Sequence, residues 1–502
     1  MNRRNFLKVA GLCSATLTSG IWSGCVKGAK VPVSQNPFSA NGKKRPNFLF
    51  LFTDDQCFKT VNALNNPDVK TPNMDRLVKQ GVTFTHCFNQ GAWNGAVCIA
   101  SRAMLNTGRY VWTCGGNDCG DYPLWGQVMG QSGYDTFFTG KWHNKTKSLE
   151  RSFKSIGPNG GGMFPSKDPN AEENMKKGIL NDPYDRPRPG NSWSPYDKSL
   201  EGHWRKEDGK TVHSSKLWAD AAIDYLDSSV SKSDKPFFMY VSFHAPHDPR
   251  QSPKEYVDMY PPDKIKIPPN FLPEHPFDQG DHKLRDELLA PFPRTKEAIQ
   301  THLSEYYAII THADHHIGRI LDALEKSGEA DNTVIIFSAD HGLAVGQHGL
   351  IGKQNQYDHS IRMPFVMCGP GLQENVQNDA MIYLQSCFAT TCEMANIKAP
   401  DTVQFPSLVP LLTGEKKQLY DSVYGAYRDY QRMVRTERYK LIRYPHVGEV
   451  QLFDLKNDPW EMKDLAEDKS YADKVAELDE KLRWWMKETG DTIDLNQYEK
   501  SG

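Results

Sequence analysis

Four apolar runs in this 502-residue chain break off directly into residues that do chemistry, and nothing else in the sequence narrows its fold as far. Residues 47–53 run into Asp54-Asp55, residues 134–139 into Gly140-Lys141-Trp142-His143, and residues 236–243 into His244-Ala245-Pro246-His247. Residues 333–338 are followed by Asp340-His341-Gly342. The runs are apolar almost throughout rather than at alternate positions, which suits strands covered on both faces, as in a parallel sheet with helices on either side. In such sheets ligands bind beyond the carboxyl ends of the strands. Four strands ending in Asp, Lys and His therefore predict one polar site at one sheet edge.

The connecting segments fit that architecture. Residues 71–77 carry the threonine cap, first-turn proline and Asp75 of a helix start, with Gly81 to end it. Residues 304–326 place Ile309, Ile310, Ala313, Ile317, Ile320, Leu321 and Leu324 at helical spacing. Residues 157–215 are rich in Gly, Pro, Asn, Trp and charge without a sustained period, and read as a surface insertion. Farther on come a helix-like stretch at 382–395, four short strand-like runs between 423 and 454, and a terminal helix over 471–488 with Val475, Leu478, Leu482 and Trp485 on one face. The expected fold class is α/β. A large domain with a central, mostly parallel (mixed) β-sheet flanked by helices would occupy residues 45–400, and a small C-terminal antiparallel sheet with a terminal helix residues 401–502.

Residues 1–25 read as an export leader. Arg3-Arg4-Asn5-Phe6-Leu7-Lys8 is close to a twin-arginine pattern, and an apolar, small-residue stretch follows over 9–22. Ser23-Gly24-Cys25 ends that stretch as a lipoprotein processing site would, which implies a lipid anchor; the alternatives are a plain signal peptide or a buried N-terminal helix. The run is too short to span a bilayer. The expected location is the periplasm of a bacterium, free or membrane-anchored.

With Lys+Arg 60 against Asp+Glu 62, the net charge of −2 supplies no global field for nucleic acid or an anionic membrane. Any bound anion must be gripped locally. Ten cysteines, two of them (Cys13, Cys25) in the leader, are too dilute for a disulfide framework. Cys114-x4-Cys119 suits a local disulfide or two free thiols.

Two constellations carry chemistry. An isolated Asp54-Asp55 pair would as readily cap a helix, but Asp340 ends another strand, and three carboxylates converging on one edge repel one another unless a cation lies between them. Oxygen donors favour Ca2+, with Mg2+ as the other option, over zinc. His341 would add a nitrogen ligand, contact a substrate, or serve as an ordinary strand-end imidazole. The second constellation is Cys98-Ile99-Ala100-Ser101-Arg102, continuing to Thr107-Gly108-Arg109, a loop entering a helix that stops at a glycine. A thiol there sits in the positive potential of a helix start, flanked by Arg102 and Arg109, where an anion or a developing thiolate is favoured.

Cys-x-Ala-Ser-Arg-x4-Thr-Gly-Arg resembles the signature of the type I sulfatases of the alkaline phosphatase-like superfamily, in which that cysteine becomes formylglycine. Asn47 to Gln56 resembles the family's opening strand and metal pair, Gly140 to His143 its lysine and histidine segment, and Asp340-His341-Gly342 with Lys353 its second metal segment. Together these span residues 45–400 in family order. Ala100 stands where most members carry proline, which bears on which maturation enzyme acts.

The resemblance implies a sulfatase matured by a formylglycine-generating enzyme, and the leader together with the aromatic and basic insertion suits a sulfated saccharide as its substrate. The resemblance also implies Ca2+ (or Mg2+) held by Asp54, Asp55, Asp340, His341 and position 98. Arg102 and Lys141 would offset charge, His143 would orient or deprotonate the hydrated aldehyde, and His244 and Lys353 would bind sulfate oxygens and protonate the leaving alcohol, with Lys141 also near the sulfate. His247 and His348 match no role and read as structural.

For such a substrate, Trp193, His203, Trp204 and Arg205 in the insertion would stack on sugar rings and pair with anions, or act simply as loop anchors. Two alternatives stay open. One is a phosphate or phosphonate ester hydrolase of the same superfamily, and the other a non-catalytic glycan-binding lipoprotein with an unconverted Cys98.

Overall fold

The computed structural model describes residues 36–496 except 41–42, 44, 162–201, 231–232 and 282–283. The leader expected over residues 1–25 and Trp193 lie outside the described residues.

The four apolar runs are four adjacent strands. β1 (Asn47–Thr53), β4 (Asp135–Lys141), β8 (Phe237–Ser242) and β9 (Thr333–Ala339) stand side by side in the order β9-β1-β8-β4. All three contacts between them are parallel. Every residue of β1 and β8 is buried, as continuous apolar runs require of strands with helices on both faces. Because the strands run the same way, Asp54, Lys141, His244 and Asp340 leave the sheet at one edge.

Outside this core the sheet becomes mixed. β2 (Gly81–Phe88), β10 (Arg362–Met363), β11 (Phe365–Cys368) and β12 (Val376–Tyr383) extend it beyond β9, with β11 antiparallel to both β9 and β2. β5 (Ser155–Gly160) forms the opposite border. At Gly140 a Cβ would lie 1.8 Å from the Ser242 carbonyl oxygen, and the backbone takes φ +106. Only glycine lets β4 stay against β8 while the chain turns to present Lys141 and His143.

Helices cover both faces. Pro72–Gln80 begins and ends where its cap and Gly81 predict, although Gly81 leaves the helix in an extended conformation and opens β2 directly. The long helix runs Lys296–Lys326, starting ahead of the expected 304 because Thr295 caps it by accepting from the Ala298 N–H. The stretch expected as helix from 382 is strand until Tyr383, and helix only over Ser386–Met394. Its apolar residues are buried in either state, so periodicity could not separate the two.

The smaller sheet has the order β16-β15-β14-β13-β3. β13 (Ser422–Tyr427), β14 (Gln431–Thr436), β15 (Tyr439–Tyr444) and β16 (Glu449–Asp454) form the expected antiparallel meander, and the helix Ala472–Thr489 packs on it through Leu478, Leu482 and Trp485. Its fifth strand, β3 (Gly91–Ala92), is borrowed from just before Cys98 and pairs parallel to β13. The C-terminal sheet is thereby tied to the segment that enters the site.

Described residues of the insertion have regular structure as well. β6 (Trp204–Glu207) and β7 (Lys210–His213) form a hairpin leading into the helix Ser214–Ser228.

Candidate functional site

Cys98 is the second residue of the helix Val97–Thr107, whose residues are buried almost without exception and which ends at Gly108 with φ +64. The helix lies over the carboxyl edge of the central strands. Ser101 Oγ donates to the Asp340 carbonyl oxygen at 2.7 Å, as does Asn89 Nδ2. The Ser101 bond fixes the helix start against the end of β9, and the Asn89 bond ties the end of β2 to the same carbonyl.

Around Cys98 Sγ the strand ends converge as expected. Asp54 Oδ1 lies at 3.4 Å, Asp55 Oδ1 at 3.8 Å, His341 Nε2 at 3.3 Å and Lys353 Nζ at 3.3 Å. Asp340 belongs to the same cluster, accepting from the Asp55 N–H at 3.0 Å. Asp55 takes φ +65 and His143 φ +66, a left-handed backbone that non-glycine residues adopt at a cost of about 1 kcal/mol or more. In both cases the turn follows directly on a central strand.

Three cations face the three carboxylates. Arg102 reaches Asp54 at 2.7 Å and Asp340 at 3.2 Å, and its Nη1 also donates to the Lys141 carbonyl and to Ser242 Oγ. Lys141 Nζ lies 2.7 Å from Asp54, and Lys353 Nζ 2.9 Å from both oxygens of Asp55. All six groups are buried.

The field splits the adjacent carboxylates. Burial disfavours the charge on both, but Lys141 and Arg102 hold Asp54 well below the usual carboxylate range, whereas burial with the charges of Asp54 and Asp340 pushes Asp55 well above it. Burial and Asp54 also push the Cys98 thiol up, so the helix start does not yield the thiolate that the sequence allowed.

The donor set fits a hard cation. His341 Nδ1 donates to the Gly342 carbonyl at 2.8 Å, which leaves Nε2 as a bare lone pair. That lone pair faces Asp55 Oδ1 at 3.3 Å and Asp340 Oδ1 at 3.6 Å. Acceptor atoms held this close suit a divalent ion, and their oxygen majority suits Ca2+ or Mg2+. One subset, Asp54, Asp55, Cys98 and His247, has ligand atoms within 4.8 Å of one another; a second is Cys98, Asp340 and His341.

His247 is the residue that sequence reasoning missed. Its N–H donates to the His244 carbonyl, and this tight turn carries the second histidine of His-Ala-Pro-His back into the cluster. Its Nε2 lies 3.0 Å from Lys353 Nζ. Because the ammonium only donates, Nε2 accepts and Nδ1–H donates to the Asp248 carbonyl at 2.7 Å. The signal was present, in that both histidines follow the same strand end.

His244 is buried and His143 half-buried, and the Nδ1 of each is a buried atom without a partner among the described residues. His244 Nε2 donates to Gly161 O at 2.7 Å and its ring stacks on Trp218. Burial and Lys141 push His143 down to about 2, so it is a neutral imidazole.

His348 stacks on Tyr357 and hydrogen-bonds to the Glu461 carbonyl, a structural role as expected. Arg109 does not flank Cys98: its guanidinium donates to Thr113 O and Thr402 O and stacks on Tyr122. His203 is buried between Ser214 Oγ and the His247 carbonyl, and Trp204 is 5% exposed, so both anchor the hairpin rather than offer faces to a sugar. Cys114 and Cys119 are buried free thiols.

Comparison with known proteins finds similarity over most of the chain. A family model described as Sulfatase matches residues 46–397, and one described as N-sulphoglucosamine sulphohydrolase, C-terminal, matches residues 346–488. An arylsulfatase of Clostridium perfringens is 27% identical over 86% of this chain and 92% of its own length. An N-acetylglucosamine-6-O-sulfatase of Bacteroides thetaiotaomicron is 26% identical over 89% and 87%. Among solved structures, a protein in complex with its substrate D-glucosamine-2-N,6-O-disulfate superposes with a TM-score of 0.70 at 23% identity, covering 91% of this chain and 100% of that one. A phosphonate monoester hydrolase of Agrobacterium radiobacter superposes with a TM-score of 0.68 at 22% identity, covering 89% and 96%. At these identities the two solved structures establish the fold alone.

Proposed function

This chain belongs to the sulfatase family and is a hydrolase of sulfate esters, and on that premise we propose that it desulfates saccharides through a formylglycine made from Cys98, with a divalent cation, Ca2+ or Mg2+, in the carboxylate cluster. The observation that carries the reading is the placing of Cys98, buried where three carboxylates and three cations converge. The relatives support the sugar class. Besides the N-acetylglucosamine-6-O-sulfatase, an ulvan-active sulfatase of Formosa agariphila is 28% identical over 90% of this chain.

Asp54, Asp55, Asp340 and His341, with position 98, would hold the cation. When bound, the ion supplies positive charge that steadies an anionic nucleophile and a sulfate oxygen. Formylglycine supplies, when hydrated, a hydroxyl that attacks sulfur and a second that allows sulfate release without attack of water on an anionic ester.

The remaining steps rest on this chain's own side chains. Arg102 and Lys141 keep Asp54 ionised and offset charge at position 98 and the sulfate. His143, neutral and with a free Nδ1, takes the proton from the attacking hydroxyl. Lys353 and His244 bind sulfate oxygens and return a proton to the leaving alcohol oxygen. His247 aims the Lys353 ammonium by accepting from it at Nε2. A formylglycine-generating enzyme would mature Cys98, and the leader would carry the chain to the periplasm, free or lipid-anchored at Cys25.

The test begins with mass spectrometry of the Cys98 peptide for the aldehyde. Free sulfate is then followed from a panel of defined sulfated saccharides beside phosphate and phosphonate esters, with Cys98→Ala as control. Release from one saccharide set, lost in Cys98→Ala, is the expected result. Converted enzyme that leaves every sulfate intact and cleaves phosphonates would overturn the reading, as would saccharide binding with an intact thiol and no release.

A further inference from the structure

A cavity of about 560 Å³ lies behind the catalytic cluster, between the segment after Asp55, the 266–270 loop and the 459–461 loop. None of Asp54, Asp55, Cys98, Asp340 or Lys353 lines it; Cys57 and Tyr306 do. Its volume falls within the range of sites that enclose a small ligand, about 300–1,000 Å³.

The cavity's charges are nearly all spent. Asp358 and Glu461 are held by Lys440 at 2.5 and 2.6 Å, and Asp358 also faces Arg435 and Arg362. Asp68 is paired with Lys266 at 2.9 Å. Lys59 is the exception. It is exposed, its ammonium sits 3.3 Å from the centroid of the Trp460 ring, and it makes no ion pair among the described residues.

Two further features point to a ring-shaped, hydroxyl-bearing ligand. Trp460 and Tyr307, both half-buried, put aromatic rings on the wall. Asn270, 6% exposed, donates its Nδ2 to the Trp460 carbonyl at 2.9 Å, which fixes the amide so that Oδ1 is the atom left over. That Oδ1 is buried without a partner, an acceptor lacking a donor. An ammonium with no ion pair among the described residues, aromatic rings and an unsatisfied amide acceptor are together the complement of an anionic pyranose.

We propose that the cavity lined by Lys59, Trp460 and Asn270 is a second saccharide site, binding a sugar residue that carries a sulfate or a carboxylate. The anion draws the Lys59 ammonium off the Trp460 ring and pairs with it, the sugar ring takes the Trp460 face that the ammonium leaves, and a hydroxyl donates to Asn270 Oδ1. The ligand class rests on the saccharide reading above, but the site is separate from the one that performs the reaction.

The test is the rate at which an N-hydroxysuccinimide ester acetylates Lys59 in the full chain, read by peptide mass spectrometry. N-acetylglucosamine 6-sulfate and glucuronate, which carry no amine for the reagent to consume, are the anionic probes, and N-acetylglucosamine is the neutral one. Lys216 and Lys254 on the surface report any general effect on the reagent. At saturating anionic sugar Lys59 should slow at least threefold while the surface lysines hold their rates, and Trp460→Ala should abolish the protection. Which anionic probe protects tells sulfate from carboxylate.

An unchanged Lys59, slowing shared with the surface lysines, equal protection by the neutral sugar, or protection that survives Trp460→Ala would each overturn the proposal. Aryl sulfate turnover by Lys59→Ala and Trp460→Ala should stay within twofold of the parent. Loss of sulfatase activity in the parent itself would instead sink the functional reading and leave Lys59 protection to be judged on its own.

Discussion

The hydroxyl of Tyr306 is a single atom on which the backbone from Asp55 to Cys57 depends, and Tyr306→Phe removes it with little change of shape. Tyr306 Oη donates to the Asp55 carbonyl oxygen and accepts from the Cys57 N–H at 3.0 Å, and the residue is 1% exposed. Phenylalanine would leave one buried backbone donor and one buried acceptor unsatisfied, each costing about 1–3 kcal/mol. A loss of about 3 kcal/mol is expected.

For a folded unit of this size the unfolding entropy is about 1 kcal/mol/K, so the loss corresponds to a fall in melting temperature of about 3 °C. Asp55, held at φ +65, would no longer be pinned from behind, and sulfate release should drop by about tenfold or more with little change in KM. The assays are differential scanning calorimetry and turnover of an aryl sulfate by converted enzyme. A variant that melts within 0.5 °C of the parent and turns over normally would refute the reasoning, because it would mean that water satisfies both backbone groups.

Arg102→Ala strips the partner from two buried carboxylates and should destabilise by about 3–5 kcal/mol while lowering kcat by about 10²-fold or more, measured by denaturant unfolding and sulfate release. A chelator should abolish sulfate release and also lower the melting temperature by about 3 °C, as expected for an ion present at about 100 times its dissociation constant; Ca2+ or Mg2+ should restore both. Asp314 on the helix Lys296–Lys326 accepts from the Asn73 and Met74 N–H groups at the start of the helix Pro72–Gln80, yet burial raises its carboxyl from 3.8 to about 6. Since the folded value lies above the unfolded one, this group's contribution is full below about pH 4 and lost as pH rises past about 6, a change of about 3 kcal/mol. Asp314→Asn should therefore gain about 3 °C on the parent between pH 4 and pH 7 in thermal melts, and parallel curves would show that the group does not titrate there.

How much of the site was legible follows from its construction. Asp54, Asp55, Lys141, His143, His244, Asp340 and His341 are strand-end residues, and continuous apolar runs mark strand ends clearly. Cys98 and Arg102 were legible through the spacing of their helix. His247 follows the same strand end as His244, but only the tight turn after that strand brings it to Lys353, and the spacing of the two histidines did not show where that turn would carry it. Arg109 misled for the converse reason: it lies beyond Gly108, where the left-handed backbone ends the helix and turns the side chain away from Cys98.

What the sequence determined by itself is whatever one-dimensional patterning encodes: which segments are buried strands, that they run parallel, and hence that their carboxyl ends share an edge. It also placed the meander and the terminal helix. Tertiary structure alone decided the rest. Burial and the fields of Lys141, Arg102 and Asp340 make two adjacent aspartates titrate in opposite directions, though their sequence contexts are nearly the same. The pairing of β3 with β13, the turn of Trp204 and His203 into the interior and the cavity beneath Trp460 all join segments far apart in the chain. Local patterning records how a segment is covered, and carries no information about what covers it.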